Sequence, residues 1–376
     1  MKTSQYKREH NTWKALKTEA VRPQLCLLFG SRPSIENDSS YYTELKAMFP
    51  KADIVCCSTA GNILNEQLLD NCIIATCIEF EYTYTRCELF NINESNELEL
   101  GMKIARCFDT EDLANLLIFS CTGINAGKIL SGINSVLNGR VPVSGGVAGD
   151  DTRFERTLVG LNETIGSTYL VGIGMYGSSL KVSHGSKGGW DTFGPQRTVT
   201  RSKDNILYEI DHKPVLEIYK QYLGEKAQEL PGSALLFPFS IIDPDTDEQI
   251  VRGVQNTDEE HNALILYGDI REGDTIQLMR SNFERMIEGA GESAKETLTG
   301  NAPAPELALL VSCVARRLVL GQLTEEELSE TKKILGPQTT ICGFYSYSEL
   351  SPLVGEKACQ LHNQTMTITG ISEVHV

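Results

Sequence analysis

Three stretches of the chain repeat one pattern, and the repeat limits the folds open to it. Each is an apolar run, a small polar residue, an amphipathic helical segment and a second apolar run that ends in Gly or Ser. The first reads LCLLFGS, YYTELKAMFP and ADIVCCSTAG; the second LANLLIFSCTG, AGKILSGINSVLNG and VPVSGGVAGDD; the third LALLVSC, TEEELSETKKILG and TTICGFYSYSEL. Apolar runs without alternation suit strands covered on both faces, and a helix between two of them implies a right-handed crossover between parallel strands. Between the second and third units lie STYLVGIGMYG, RTVTRSKDNILYEI, SALLFPFSI and DTIQLM, bounded by Gly, Pro and Asp turn signals. The predicted fold is α/β with mixed sheets, two domains built on βαβ units with additional antiparallel strands. A chain of 376 residues suits two domains. A helix opened by Pro214 and closed by Gly224 puts the split at residue 213, giving 1–213 and 214–376.

A net charge of −16 argues against a surface that gathers phosphates, so nucleic acid is excluded as a partner. The start, MKTSQYKREHNTWKAL, has no apolar leader, and no run reaches about 18 apolar residues. The expectation is a cytoplasmic protein without membrane insertion. Seven of the eleven cysteines (Cys56, Cys57, Cys72, Cys77, Cys121, Cys313 and Cys342) sit in or beside apolar runs and read as core thiols.

In a parallel sheet, ligands bind at the loops after the strand C-termini. Here these are Ser31, Ser58 to Gly61, Ser120 to Gly123, Ser144 to Asp151, Ser312 to Arg317 and Gly343 to Glu349. None forms a phosphate-binding loop. Arg316 and Arg317 could clamp a carboxylate, with Glu349 facing an ammonium group and Phe344, Tyr345 and Tyr347 as walls; equally, the arginines could pair with acidic neighbours. The segment HGSKGGWDTFGP reads as a Gly-rich loop at the domain junction, with Trp190 either an anchor on the core or a lid. CQLHNQTMTITG alternates like one strand, with His362, Gln364 and Met366 on one face. Such a His could hold a soft metal or serve as a hydrogen-bonded structural residue. Cys313 and Cys359 raise a Cys/His nucleophile, hence a Cys-based hydrolase as an alternative.

These residues resemble the FIST sensory proteins. The likeness rests on VSGGVAGDD, on HGSKGGWDTFGPQRTVTRSKDNILYEIDHKPVLEIYKQYLG, and on SALLFPFSI, LVSCVARRLVLGQ, GFYSYSEL and LHNQTMTI, in an order similar to tandem FIST N-terminal and C-terminal domains. The resemblance implies a non-catalytic sensor that binds a small-molecule ligand, among them amino acids or their derivatives, and reports to a histidine kinase or cyclic-dinucleotide enzyme. On the same footing it implies ligand contacts from Trp190, Arg316, Arg317, Phe344, Tyr345, Tyr347, Glu349 and Asn363, and a possible homodimer. One branch of the family is regarded as haem-binding nitric-oxide sensors, which would make His362 and His184 the axial candidates. His10, His212, His261 and His375 are weaker ones. The chain departs from the family pattern at Ala315 and Ser348, where Gly is usual.

Overall fold

The computed structural model describes residues 1–38, 40–242, 249–299, 304–353 and 355–374. All three expected βαβ units form. Leu25–Gly30 pairs in parallel with Asp53–Ser58, Leu113–Ser120 with Val143–Val147, and Leu307–Cys313 with Thr340–Ser346. Each unit nucleates its own sheet, one of seven strands and two of six, and antiparallel strands extend all three.

The inner faces of the three sheets meet in one core. Leu27 and Phe29 reach it from the first unit, Leu117 and Phe119 from the second, Leu309, Val311 and Phe344 from the third. At its centre Phe29, Phe119 and Phe344 pack with ring centroids 4.9 to 5.9 Å apart. Alternate residues of the same strands point outward under helices: Leu28 beneath Leu45, Ile118 beneath Ile104 and Ile133, Leu310 beneath Ala294 and Leu328. Burial on both faces explains why these runs lack polar alternation.

Strands from both sides of residue 213 share two of these sheets. Ile63 pairs with Gly343, and Gly145 with Leu350. Gly145 has φ +136°, and a Cβ there would overlap the Ile118 carbonyl of the neighbouring strand. Gly145→Ala is therefore expected to cost about 2 kcal/mol in urea unfolding, through overpacking and backbone strain.

The fourth sheet, of eight strands, is built from residues between Trp190 and Ser281. It has its own core, in which Val199, Leu207, Phe239 and Leu264 pack against Leu216 and Tyr219 of the helix Val215–Leu223. That helix follows Pro214 and ends at Gly224, φ +58°. The chain thus folds as a three-sheet body with one excursion, the fourth sheet and its helix, returning to it. The Gly-rich segment expected as a loop is mostly strand: Leu180–Lys187 and Trp190–Lys203 are separated by Gly188 and Gly189 alone. Gly189, φ +84°, lies so close to the Arg285 carbonyl that a side chain would collide with it. This is where the chain passes between the two bodies, and it returns through Ser281, paired with Trp190.

Candidate functional site

A cavity of about 730 Å³ lies between the three-sheet body and the fourth sheet. That volume is in the range of small-molecule sites. One wall is made by strand-end loops of the three-sheet body: Thr122 to Ala126, Val147, Phe154, Tyr347 and Ser348. The opposite wall comes from the excursion: Asn205, Leu235, Val254 to Asn256 and Ile265 to Gly268. The lining mixes aliphatic and aromatic surface with amides and hydroxyls, and no Asp, Glu, Lys, Arg or His is among its described residues. Phe154 stacks on Tyr347 with centroids 4.6 Å apart at 17°. The Phe154 amide donates to Tyr347 Oη at 3.2 Å, and that hydroxyl donates to the Asp151 carbonyl at 3.2 Å.

A smaller annex of about 10 Å³, room for one water or one amino group, adjoins the cavity. Phe154, Leu235, Tyr267 and Tyr347 line both spaces; Cys313, Ala315, Asn363 and Gln364 close the annex. Asn363 Oδ1 and Gln364 Oε1 are buried and have no hydrogen-bond partner among the described residues. Backbone strain gathers at the same place. Of fourteen non-glycine residues with positive φ among the described residues, twelve are Asn, Asp or His, which tolerate the left-handed region. The two others are Phe154 at +53° and Gln364 at +59°. Each costs about 1 kcal/mol, and such strain concentrates at ligand sites.

The FIST N domain matches residues 24–213 and the FIST C domain residues 216–352. The chain belongs to the FIST family. FIST domains are associated with signal-transduction sensing of small ligands. The chain is also similar to an uncharacterized protein of Methanocaldococcus jannaschii, 21% identical over 339 residues, which cover 83% of this chain and 64% of that protein. It therefore spans a little under two thirds of the curated relative it matches. No helix among the described residues is long and apolar enough to cross a membrane.

Of the residues that the FIST resemblance implied as ligand contacts, Tyr347 lines the large cavity and Asn363 the annex. Ser348 and Ala315, where the chain departs from the FIST pattern, line the cavity and the annex respectively. The other expected contacts lie elsewhere. Phe344 is at the centre of the three-sheet core. Tyr345 is buried, its hydroxyl donating to Glu327 Oε1 at 2.6 Å. Arg316 is fully buried against Glu327, with Nη2–Oε2 at 2.7 Å, and also donates to the carbonyls of Gly188 and Met286. Arg317 donates to the Ala60 carbonyl at 2.5 Å and to Asp70 at 2.7 Å. The expected carboxylate clamp is thus spent on protein partners. Trp190 is buried with Met279, Met286 and Leu320, and its indole donates to the Gln364 carbonyl at 2.9 Å. It is an anchor that ties the crossing between the bodies to the annex.

Glu349 is buried and is not among the residues that line either cavity. It accepts from Ser346 Oγ at 2.7 Å and from Thr365 N and Oγ1 at 3.2 and 3.0 Å. Burial outweighs these donors and pushes its carboxyl up to about 8.

The run containing His362 is two strands in different sheets, Cys359–His362 and Met366–Glu373, broken at the left-handed Gln364. His362 and Met366 consequently do not share a face. His362 Nε2 is 3.0 Å from the Ser351 carbonyl, and burial holds both His362 and His184 down at about 4. Neither imidazole lines either cavity, so neither fits as the axial ligand of a haem there. His375 lies outside the described residues. The thiols of Cys313 and Cys359 are pushed up by burial, whereas a cysteine nucleophile needs a lowered pKa.

The wall supplied by the excursion carries no sequence signal of its own. The strand-end rule reached Thr122, Gly123, Val147, Tyr347 and Ser348, but Tyr267, Leu235 and Asn256 become visible only once the fourth sheet is docked.

Proposed function

We propose that this FIST protein is a small-molecule sensor whose ligand occupies the cavity between its two bodies, and that it reports to a separate transducer such as a histidine kinase or a cyclic-dinucleotide enzyme. The observation that carries the reading is the 730 Å³ space with walls from both bodies and no Asp, Glu, Lys, Arg or His among the described residues of its lining. An uncharged, partly aromatic ligand suits such walls better than a free amino acid, whose carboxylate would lose its hydration without a cationic partner. A ligand touching both walls has different contacts in open and closed arrangements, the differential affinity that a signal requires. The moving parts are the excursion and the three-sheet body, with Gly188, Gly189 and Ser281 at the crossings. Asp211 to Pro214, at the split expected from the sequence, form a tight turn inside the fourth sheet. The nitric-oxide reading is set aside because neither His184 nor His362 meets a cavity that could hold haem. A Soret band in the purified protein would reverse that choice.

Gly232 lines the cavity, and a Cβ there meets open space. Gly232→Trp should obstruct the cavity while leaving the fold near wild-type stability. In a thermal-shift screen of neutral aromatic amides, saturating ligand should stabilise the native protein by about 2–3 kcal/mol at a hundredfold excess over Kd. Gly232→Trp should abolish that shift. An equal shift in the variant would place the ligand elsewhere.

A further inference from the structure

We propose that the annex recognises an uncharged N–H donor at one end of the ligand, a primary carboxamide or urea group, through Asn363 Oδ1 and Gln364 Oε1. The proposal rests on the large cavity being the ligand site. Both amides have a determined orientation. Asn363 Nδ2 donates to the His362 carbonyl at 3.0 Å, and Gln364 Nε2 to the Leu235 carbonyl at 3.2 Å. Backbone carbonyls only accept, so each amide must turn its nitrogen toward them and leave its oxygen over. Two buried acceptors without donors, at one annex, are complementary to a group carrying two hydrogens.

The annex holds one such group, while the aromatic pair Phe154 and Tyr347, shared with the large cavity, holds the body of the ligand behind it. Uncharged walls disfavour an ammonium head, whose positive charge would have no exposed carboxylate to meet. The left-handed backbone at Gln364 and Phe154 aims these side chains, and the Trp190 indole on the Gln364 carbonyl supports one of them. Occupancy of the annex would thereby be felt where the chain crosses between the bodies.

The test uses the full chain labelled with ¹⁵N, following the indole signals of Trp190 and Trp13, which Trp13→Phe assigns. Benzamide, phenylurea, methyl benzoate and benzylamine are titrated in turn. Benzamide and phenylurea are expected to shift the Trp190 signal with affinities about tenfold or more above methyl benzoate, because a site built for a donor rejects the analogue that lacks one. Gln364→Asn should fold, since Asn tolerates the left-handed region, but the shorter side chain withdraws the acceptor. It should cut the ratio of amide to ester affinity severalfold, Asn363 Oδ1 remaining as the one acceptor. Equal binding of ester and amide would mean that the annex holds only water, and tighter binding of benzylamine would mean a cationic head; either overturns the proposal and keeps the cavity. No response to any of the four probes would overturn both.

Discussion

Glu327→Ala is expected to cost the fold about 3–5 kcal/mol, the largest loss of any single substitution considered, because it strands the Arg316 guanidinium in the interior. Both side chains are completely buried. Glu327 gathers four donors: Arg316 Nε at 3.1 Å and Nη2 at 2.7 Å, Tyr345 Oη at 2.6 Å and Ser312 Oγ at 3.2 Å. Removing the carboxylate leaves a charge and two hydroxyls without their acceptor. The double variant Arg316→Met with Glu327→Leu separates two contributions. A buried ion pair exchanged for apolar groups of similar size is often neutral, yet Arg316 also reaches the carbonyls of Gly188 and Met286 on either side of the crossing. The double variant should therefore recover part of the loss and remain about 1–2 kcal/mol below wild type, the cost of unpaired carbonyls. Urea unfolding at pH 7 measures both. A single-variant loss under about 1 kcal/mol would show that the pair is not held as described.

The same cluster shows where a local reading of the sequence stops. From SCVARR alone Arg316 is a cation near a strand end, and strand ends are where ligands bind. Its partner lies eleven residues on, in the helix Thr324–Leu335, and only the packing of that helix decides between clamp and ion pair. The three βαβ units were legible because burial on both faces writes itself into composition as unbroken apolar runs. The interleaving of the halves was not, since the pairings of Ile63 with Gly343 and of Gly145 with Leu350 join segments hundreds of residues apart and need only generic strand sequence. LHNQTMTI misled for a different reason. Its alternation is real on each side of Gln364, but the left-handed backbone at that residue sends the two parts into different sheets. A glutamine gives no warning of such a turn, whereas Asn or Gly would have.

Glu349→Gln is expected to flatten the alkaline side of the stability profile. The sign follows from burial: the folded carboxyl titrates at about 8 against 4.5 for the ordinary group, so the folded state holds its proton where the unfolded chain has released it. Stability from this group is intact below about 4.5 and declines as pH rises toward 8, at about 1.4 kcal/mol per pH step, on the order of 5 kcal/mol in all. His184 and His362 work in the opposite direction. Held down at about 4 from 6.5, they favour the folded state above 6.5 and withdraw that support as pH falls toward 4. These three groups together place the maximum near pH 6.5, with decline on both sides. The surroundings can accommodate a protonated Glu349. Ser346 Oγ lies 3.3 Å from the Ser312 carbonyl and can donate there while accepting from the carboxyl. A glutamine amide can take the place of that protonated oxygen in the same way. The variant should thus match wild type near pH 4.5, gain on it steadily up to about pH 8, level off above that, and keep the acid side unchanged. Unfolding midpoints in urea across that range decide the matter: parallel profiles for the two proteins would mean that Glu349 is ionised in the folded state, and that its three donors prevail over burial.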